Sequence, residues 1–194
     1  MKNSGSLIIA FDIPHKSATM VPLDALDAAM KDTTKILWIH CDLHDKEFLQ
    51  QVSSIIHLPE NVKNIIHDKT TIPKVDEAED SLTLKIQAPL ELIPDKTHHL
   101  GFSTLIIHLT SHFCLSLAPK PIPALQEFAI NHEKSLRYAR TPCFILFILI
   151  DNILNDYARL LFTFESQSDQ MDVLIRSTHK HHYRSVMNAN RGII

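Results

Sequence analysis

Residues Leu58–Val75 read LPENVKNIIHDKTTIPKV, and their punctuation organises the chain around them. Pro59 suits the first turn of a short helix, where its missing N–H costs nothing and its fixed φ is already helical. A polar connector containing His67 and Asp68 follows, and Pro73 then holds the chain extended ahead of the next strand. Upstream, Lys35–Cys41 (KILWIHC) reads as a strand with Trp38 buried on it. Between the two, Asp45-Lys46-Glu47 opens a helix, its acidic residues placed where the helix dipole favours them. Phe48, Leu49, Val52, Ile55 and Ile56 form that helix's apolar stripe. Downstream, Leu82–Ala88 alternates apolar and polar residues as a half-buried strand does.

Further out, Ser6–Asp12 reads as a first buried strand and Leu23–Met30 as a short helix. Gly101–Leu109 and Phe113–Leu117 are two adjacent strands joined by a polar turn at Thr110-Ser111-His112. Pro119, Pro121 and Pro123 punctuate the exit into a helix over 123–138. Thr141 caps a longer helix from Pro142 to Gln167, in which Leu146, Leu149, Ile150, Ile153, Tyr157, Leu160, Leu161 and Phe164 recur on one face. Strands with interleaved helices, then two successive helices, give an α/β class. The expected form is a mixed β-sheet of six or seven strands sandwiched between helices, followed by a helical subdomain. The boundaries read as 1–120 for the α/β part, 121–175 for the helical part and 176–194 for a poorly ordered basic tail.

Composition narrows the function. With 194 residues, 45% apolar and 21% charged, the chain can bury one sizeable core. A formal charge of −3 gives no reason to expect nucleic acid. Three glycines against ten prolines leave no phosphate-cradling loop. Cys41, Cys114 and Cys143 are an odd, widely spaced set and read as buried reduced thiols. The N-terminus is too short in apolar residues for a secretory signal. The longest apolar run, Cys143–Ile150, falls well below the roughly 20 residues of a spanning helix, so the chain reads as soluble. No nucleophile elbow, H-E-x-x-H helix or comparable signature is present, and no enzyme is expected.

Taken in order, these segments resemble the cytoplasmic N-terminal domain of the CorA superfamily of divalent-cation transporters, and most of all its ZntB-like zinc branch. The resemblance runs from Leu37 to Leu174 and rests on Leu58-Pro59-x-Asn61-Val62, Thr71-x-Pro73-x-Val75, Leu82–Ile86 and Leu149-Ile150-Asp151-x-x-Leu154-x-Asp156-Tyr157. It implies the wall of a cytoplasmic funnel beneath a pore in the inner membrane, coupling metal to gating in a full-length homopentamer. The family's Gly-Met-Asn pore loop is absent, and Gly192 is the only glycine after Gly101. The chain is therefore expected not to transport alone, as a piece of a longer protein or a natural remnant, and to be a monomer or weak oligomer. The alternative is a soluble metal-responsive or interaction protein that keeps the fold without a membrane part.

Four residues carry the metal reading. His40 and His44 flank Asp42 as His-x-Asp-x-His, and imidazole with carboxylate suits zinc. Asp151 and Asp156 lie five residues apart on the long helix and so point about 140° away from each other. The resemblance implies that carboxylates near this helix help bind regulatory divalent ions between subunits. In magnesium-type members an acidic pair precedes the proline by eight or nine residues. Here Asn64 and Ile65 stand there, which favours zinc over magnesium as the ion. No further cofactor is implied. His98-His99 and the tail histidines His179, His181 and His182 read as adventitious metal binders. Asp76-Glu77-x-Glu79-Asp80 reads as a solvated turn, since it lacks EF-hand spacing.

Overall fold

The protein is described by a computed structural model covering residues 5–90, 101–136 and 138–191, with side chains described to 169 except at 167. Seven strands form one mixed sheet: β1 (Leu7–Asp12), β2 (Ser17–Met20), β3 (Lys35–Asp42), β4 (Lys74–Ala78), β5 (Ser81–Pro89), β6 (Phe102–Thr110) and β7 (Phe113–Ala118). Their order is β2-β1-β3-β7-β6-β5-β4. Every pair is antiparallel except β3 with β7, which runs parallel in the register Trp38↔Cys114 and His40↔Ser116.

The parallel pair sits at the centre because its strands are apolar on both faces. Leu37, Ile39 and Cys41 point to one face, and Ile36 and Trp38 to the other; all five are buried. On the first face a short α1 (Leu26–Lys31), α2 (Lys46–Ile55) and α3 (Glu60–His67) close the core, with Leu26, Val52, Val62 and Ile65 against Leu37, Ile39, Leu115 and Leu117. Asp45 caps α2 by accepting from the Phe48 N–H at 3.2 Å. His57 takes a left-handed φ of 49° and ends the run, so that Pro59 can open α3. On the opposite face α4 (Pro123–Leu136) sets Phe128 edge-on to Trp38, ring centroids 4.6 Å apart.

The last helix, α5, runs from Pro142 to Arg191. It does not stop at Gln167, and the basic stretch from Arg176, read as a tail, is helical backbone as far as Arg191. The reason lies in composition: no Pro or Gly occurs between Cys143 and Arg191, so nothing breaks the ladder before Gly192. The contacts divide the chain into two compact units, Met1–Leu154 and Asn155–Ile194. In the first, Ile145, Leu149 and Ile153 of α5 are buried. The second is described as the remaining turns of α5, where Arg159 pairs with Asp156 at 3.3 Å.

Three further readings need correction. Strand β2 was not foreseen: four residues with one buried side chain give too little alternation to register. The acidic run from Asp76 is not a turn throughout, because Asp76 and Glu77 belong to β4, an edge strand whose exposed faces tolerate charge. Among the cysteines, Cys41 and Cys114 are buried but Cys143 is exposed on the first turn of α5. Among the described residues no helix is long and apolar enough to cross a membrane.

Candidate functional site

Connections from the parallel pair leave to opposite faces. After β3 the chain covers the face closed by α2 and α3; after β7 it covers the face closed by α4. Such a switch point opens a crevice at the carboxyl ends of the strands. There the protein has a cleft of about 380 Å3 whose lining includes Trp38, His40 and Asp42 from β3 and Ala118 from β7. Lys120, Pro121 and Ile122 of the following loop, and Leu125, Gln126 and Ala129 of α4, form its far wall.

Strand alternation builds the floor. Trp38, His40 and Asp42 are two residues apart and so share a face, and their neighbour Ser116 on β7 faces the same way. Trp38 Nε1 donates to Ser116 Oγ at 3.0 Å, and His40 Nδ1 lies 2.9 Å from the same hydroxyl. Ser116 is fully buried, so its one hydroxyl fixes both rings. Burial lowers the His40 pKa to about 4, only partly opposed by the Asp42 carboxylate, so the imidazole is neutral at pH 7. Asp42 Oδ1 accepts from the His44 backbone N–H at 2.8 Å, and the Asp42 N–H donates to Ser6 Oγ at 3.0 Å. Among the described residues, neither the Asp42 carboxylate nor the Lys120 ammonium has an ion-pair partner.

The four candidate metal residues fall in different settings. His40 lines the cleft; His44 is exposed in the loop beyond β3. Asp151 is exposed on α5, while Asp156 is half-buried and paired with Arg159. Among the described residues no group of three or more His, Cys, Asp or Glu side chains is assembled to hold a metal ion. His98-His99 lie outside the described residues, as do the side chains of His179, His181 and His182.

Two features were missed in the sequence. Lys120 stands between two prolines immediately after a central strand, and that position at a strand's carboxyl end was the available signal. Lys85 reads as a polar position of an alternating strand, yet its side chain is fully buried, with Nζ 2.7 Å from Asp68 Oδ2, 3.0 Å from Asp68 O and 3.3 Å from Thr70 Oγ1. The connector of the Leu58–Val75 segment is thus tied to β5. The Lys85 ammonium and the Thr70 donors hold the Asp68 carboxyl well below the usual range.

Comparisons with known proteins agree with this architecture. Residues 33–194 match the family model described as CorA-like Mg2+ transporter protein, so the match extends beyond Leu174 through the stretch that reads as a basic tail. The cobalt/magnesium transport protein CorA of Methanocaldococcus jannaschii is 24% identical over 150 residues, 76% of this chain and 46% of the relative. The chain thus spans about half the length of the curated relative it matches. Among solved structures, full-length CmaX superposes with a TM-score of 0.71 at 17% identity, over 86% of this chain and 51% of that one. The soluble domain of M. jannaschii CorA gives 0.65 at 18% identity, over 85% and 62%. The cytoplasmic domain of ZntB from Vibrio parahaemolyticus gives 0.60 at 14% identity, over 83% and 63%.

Proposed function

The chain belongs to the CorA-like Mg2+ transporter family, and from that premise we propose that it forms the cytoplasmic domain of a divalent-cation transporter. The observation that carries this reading is the family match over residues 33–194, joined to a seven-stranded mixed sheet of the kind seen in CorA and ZntB soluble domains. In this reading the domain walls a funnel beneath the pore of a homopentamer in the inner membrane, and it couples cytoplasmic metal to gating. It performs no catalysis. Ion conduction requires membrane helices beyond the part of the family represented here.

The transported ion, the substrate of this reading, is zinc or magnesium. Regulatory contact falls to Asp151 and Asp156, whose oxygens suit hard cations, with the imidazoles of His40 and His44 as the zinc-selective alternative. The exposed position of Asp151 supports a site completed by donors from a second copy. Calorimetry tests this with zinc and with magnesium on a chain carrying alanine at His179, His181 and His182, so that the helix-end histidines contribute nothing. Asp151→Asn, Asp156→Asn, His40→Gln and His44→Ala are then compared. A tighter response to zinc that His44→Ala weakens assigns the imidazoles; loss in the aspartate variants assigns the helix; unchanged binding in all four removes these residues from metal sensing.

A further inference from the structure

We propose that the cleft at the carboxyl ends of β3 and β7 binds a free α-amino acid with a small apolar side chain. Asp42 receives its ammonium, Lys120 its carboxylate, and the apolar wall its side chain. The site lies in the first compact unit, and neither Asp151 nor Asp156 is among its lining residues.

The charge pattern selects the ligand. Asp42 and the exposed Lys120 both line one cleft, and among the described residues neither charged side chain is ion-paired with the other or with a third group. A ligand that carries both charges complements both. A metal ion at Asp42 and His40 meets the Lys120 ammonium in the same cleft, and no third acidic or histidine donor joins them. A phosphate group meets one cation beside a carboxylate, in a chain with only three glycines and no phosphate loop. Leu7, Ile122, Leu125 and Ala129 supply an apolar wall, so the zwitterion that fits has an aliphatic side chain. The volume of about 380 Å3 lies within the roughly 300–1,000 Å3 of small-molecule sites.

The polar floor is already built. Trp38 and His40 are both pinned by the buried Ser116 hydroxyl, so neither ring reorganises when a ligand arrives. The Ser116 hydroxyl engages His40 through Nδ1, so a contact from the ring to the ligand or a bridging water falls to Nε2. The location is the one where α/β sheets place their ligands, outside the carboxyl ends of strands whose connections diverge.

The test titrates the 194-residue chain with L-leucine, following Trp38 fluorescence and amide chemical shifts. Trp38 is the only tryptophan and lines the cleft, so the probe is local. Two analogues complete the design: 4-methylpentanoate, which keeps only the carboxylate, and 3-methylbutylamine, which keeps only the ammonium. Saturable leucine binding is expected, weakened about tenfold or more in either analogue, because each leaves one charged side chain unanswered. Asp42→Asn and Lys120→Gln weaken leucine to the same degree; asparagine retains the Oδ1 that accepts the His44 N–H, so the loop stays intact. Ala129→Phe fills the cleft without touching a charge and abolishes binding. Equal affinity for the amine alone makes this a cation site, equal affinity for the acid alone an anion site, and both overturn the proposal. So do the absence of any saturable shift and binding that survives Ala129→Phe.

Discussion

Replacing Ser116 with alanine removes one hydroxyl and strands two rings. The hydroxyl is fully buried and accepts from Trp38 Nε1 at 3.0 Å; Trp38 itself is 0% exposed, so its N–H has no water to turn to. An unmade hydrogen bond on a buried donor costs about 1–3 kcal/mol. His40 Nδ1, 2.9 Å from the same oxygen, adds less because its ring is only half-buried and borders the cleft. The third neighbour, Ile39 O at 3.5 Å, is too distant to add much. The expected destabilisation is about 2 kcal/mol. Urea unfolding is the assay. With a slope of about 1–3 kcal/mol per molar the midpoint falls by about 1 M.

The sole tryptophan reports the same event spectroscopically, since its N–H loses its partner while its edge-on contact with Phe128 persists. A double-mutant cycle with Trp38→Phe separates the hydrogen bond from the packing loss. Coupling of about 1 kcal/mol between the two sites is expected, because Ser116→Ala costs less once the donor is gone. If the two substitutions add to within about 0.3 kcal/mol, the hydroxyl is not what holds the indole, and the reasoning fails.

Further outcomes follow from the same geometry. His40 binds its proton near pH 4 when folded but near 6.5 when unfolded, so the unfolded chain takes up more protons between those values and stability falls as pH drops from about 6.5 to about 4. The loss levels off below the folded value at about 3 kcal/mol, and urea midpoints across that window, compared with His40→Gln, should show the difference. At the buried Lys85, Asp68→Ala lowers the melting temperature more than Lys85→Met does, because the first leaves a fully buried ammonium without its carboxylate and the second removes it with its charge; the reverse order would mean that the ion pair is not what satisfies Lys85. In dilute solution the 194-residue chain is expected to scatter light as a monomer or weak oligomer; a stable pentamer at low micromolar concentration would overturn that expectation.

Most of the central sheet was legible because its strands are rich in buried apolar residues and bounded by polar turns. Lys35–Cys41, Gly101–Leu109 and Phe113–Leu117 all fall within a residue or two of β3, β6 and β7. The edges were harder. Strand β2 buries one side chain and β4 none, so their pairing with β1 and β5 is written in backbone hydrogen bonds and leaves no hydrophobic alternation. The end of α5 was misread for a related reason: basic and histidine-rich composition suggested a tail, whereas the missing helix breakers were the better guide.

The cleft was only half legible, and strand geometry explains which half. His40-x-Asp42-x-His44 looks like a set of three, but a strand places i and i+2 on one face only while it remains a strand. Strand β3 ends at Asp42, and Asp42 Oδ1 then accepts the His44 N–H to turn the chain toward α2. His40 and Asp42 therefore point toward α4, while His44 leaves with the connection to the opposite face. The residues that join them, Ser116 and Lys120, lie more than seventy positions later and arrive through the parallel pairing of β3 with β7. That pairing has no local signature, because both strands are buried on both faces and either hand of pairing satisfies the hydrophobic pattern. What brings a neutral imidazole, a carboxylate and an ammonium into one cleft is the divergence of two connections from adjacent parallel strands. The site is thus a property of the topology, and a motif search along the chain could recover only the His40 and Asp42 that share a strand.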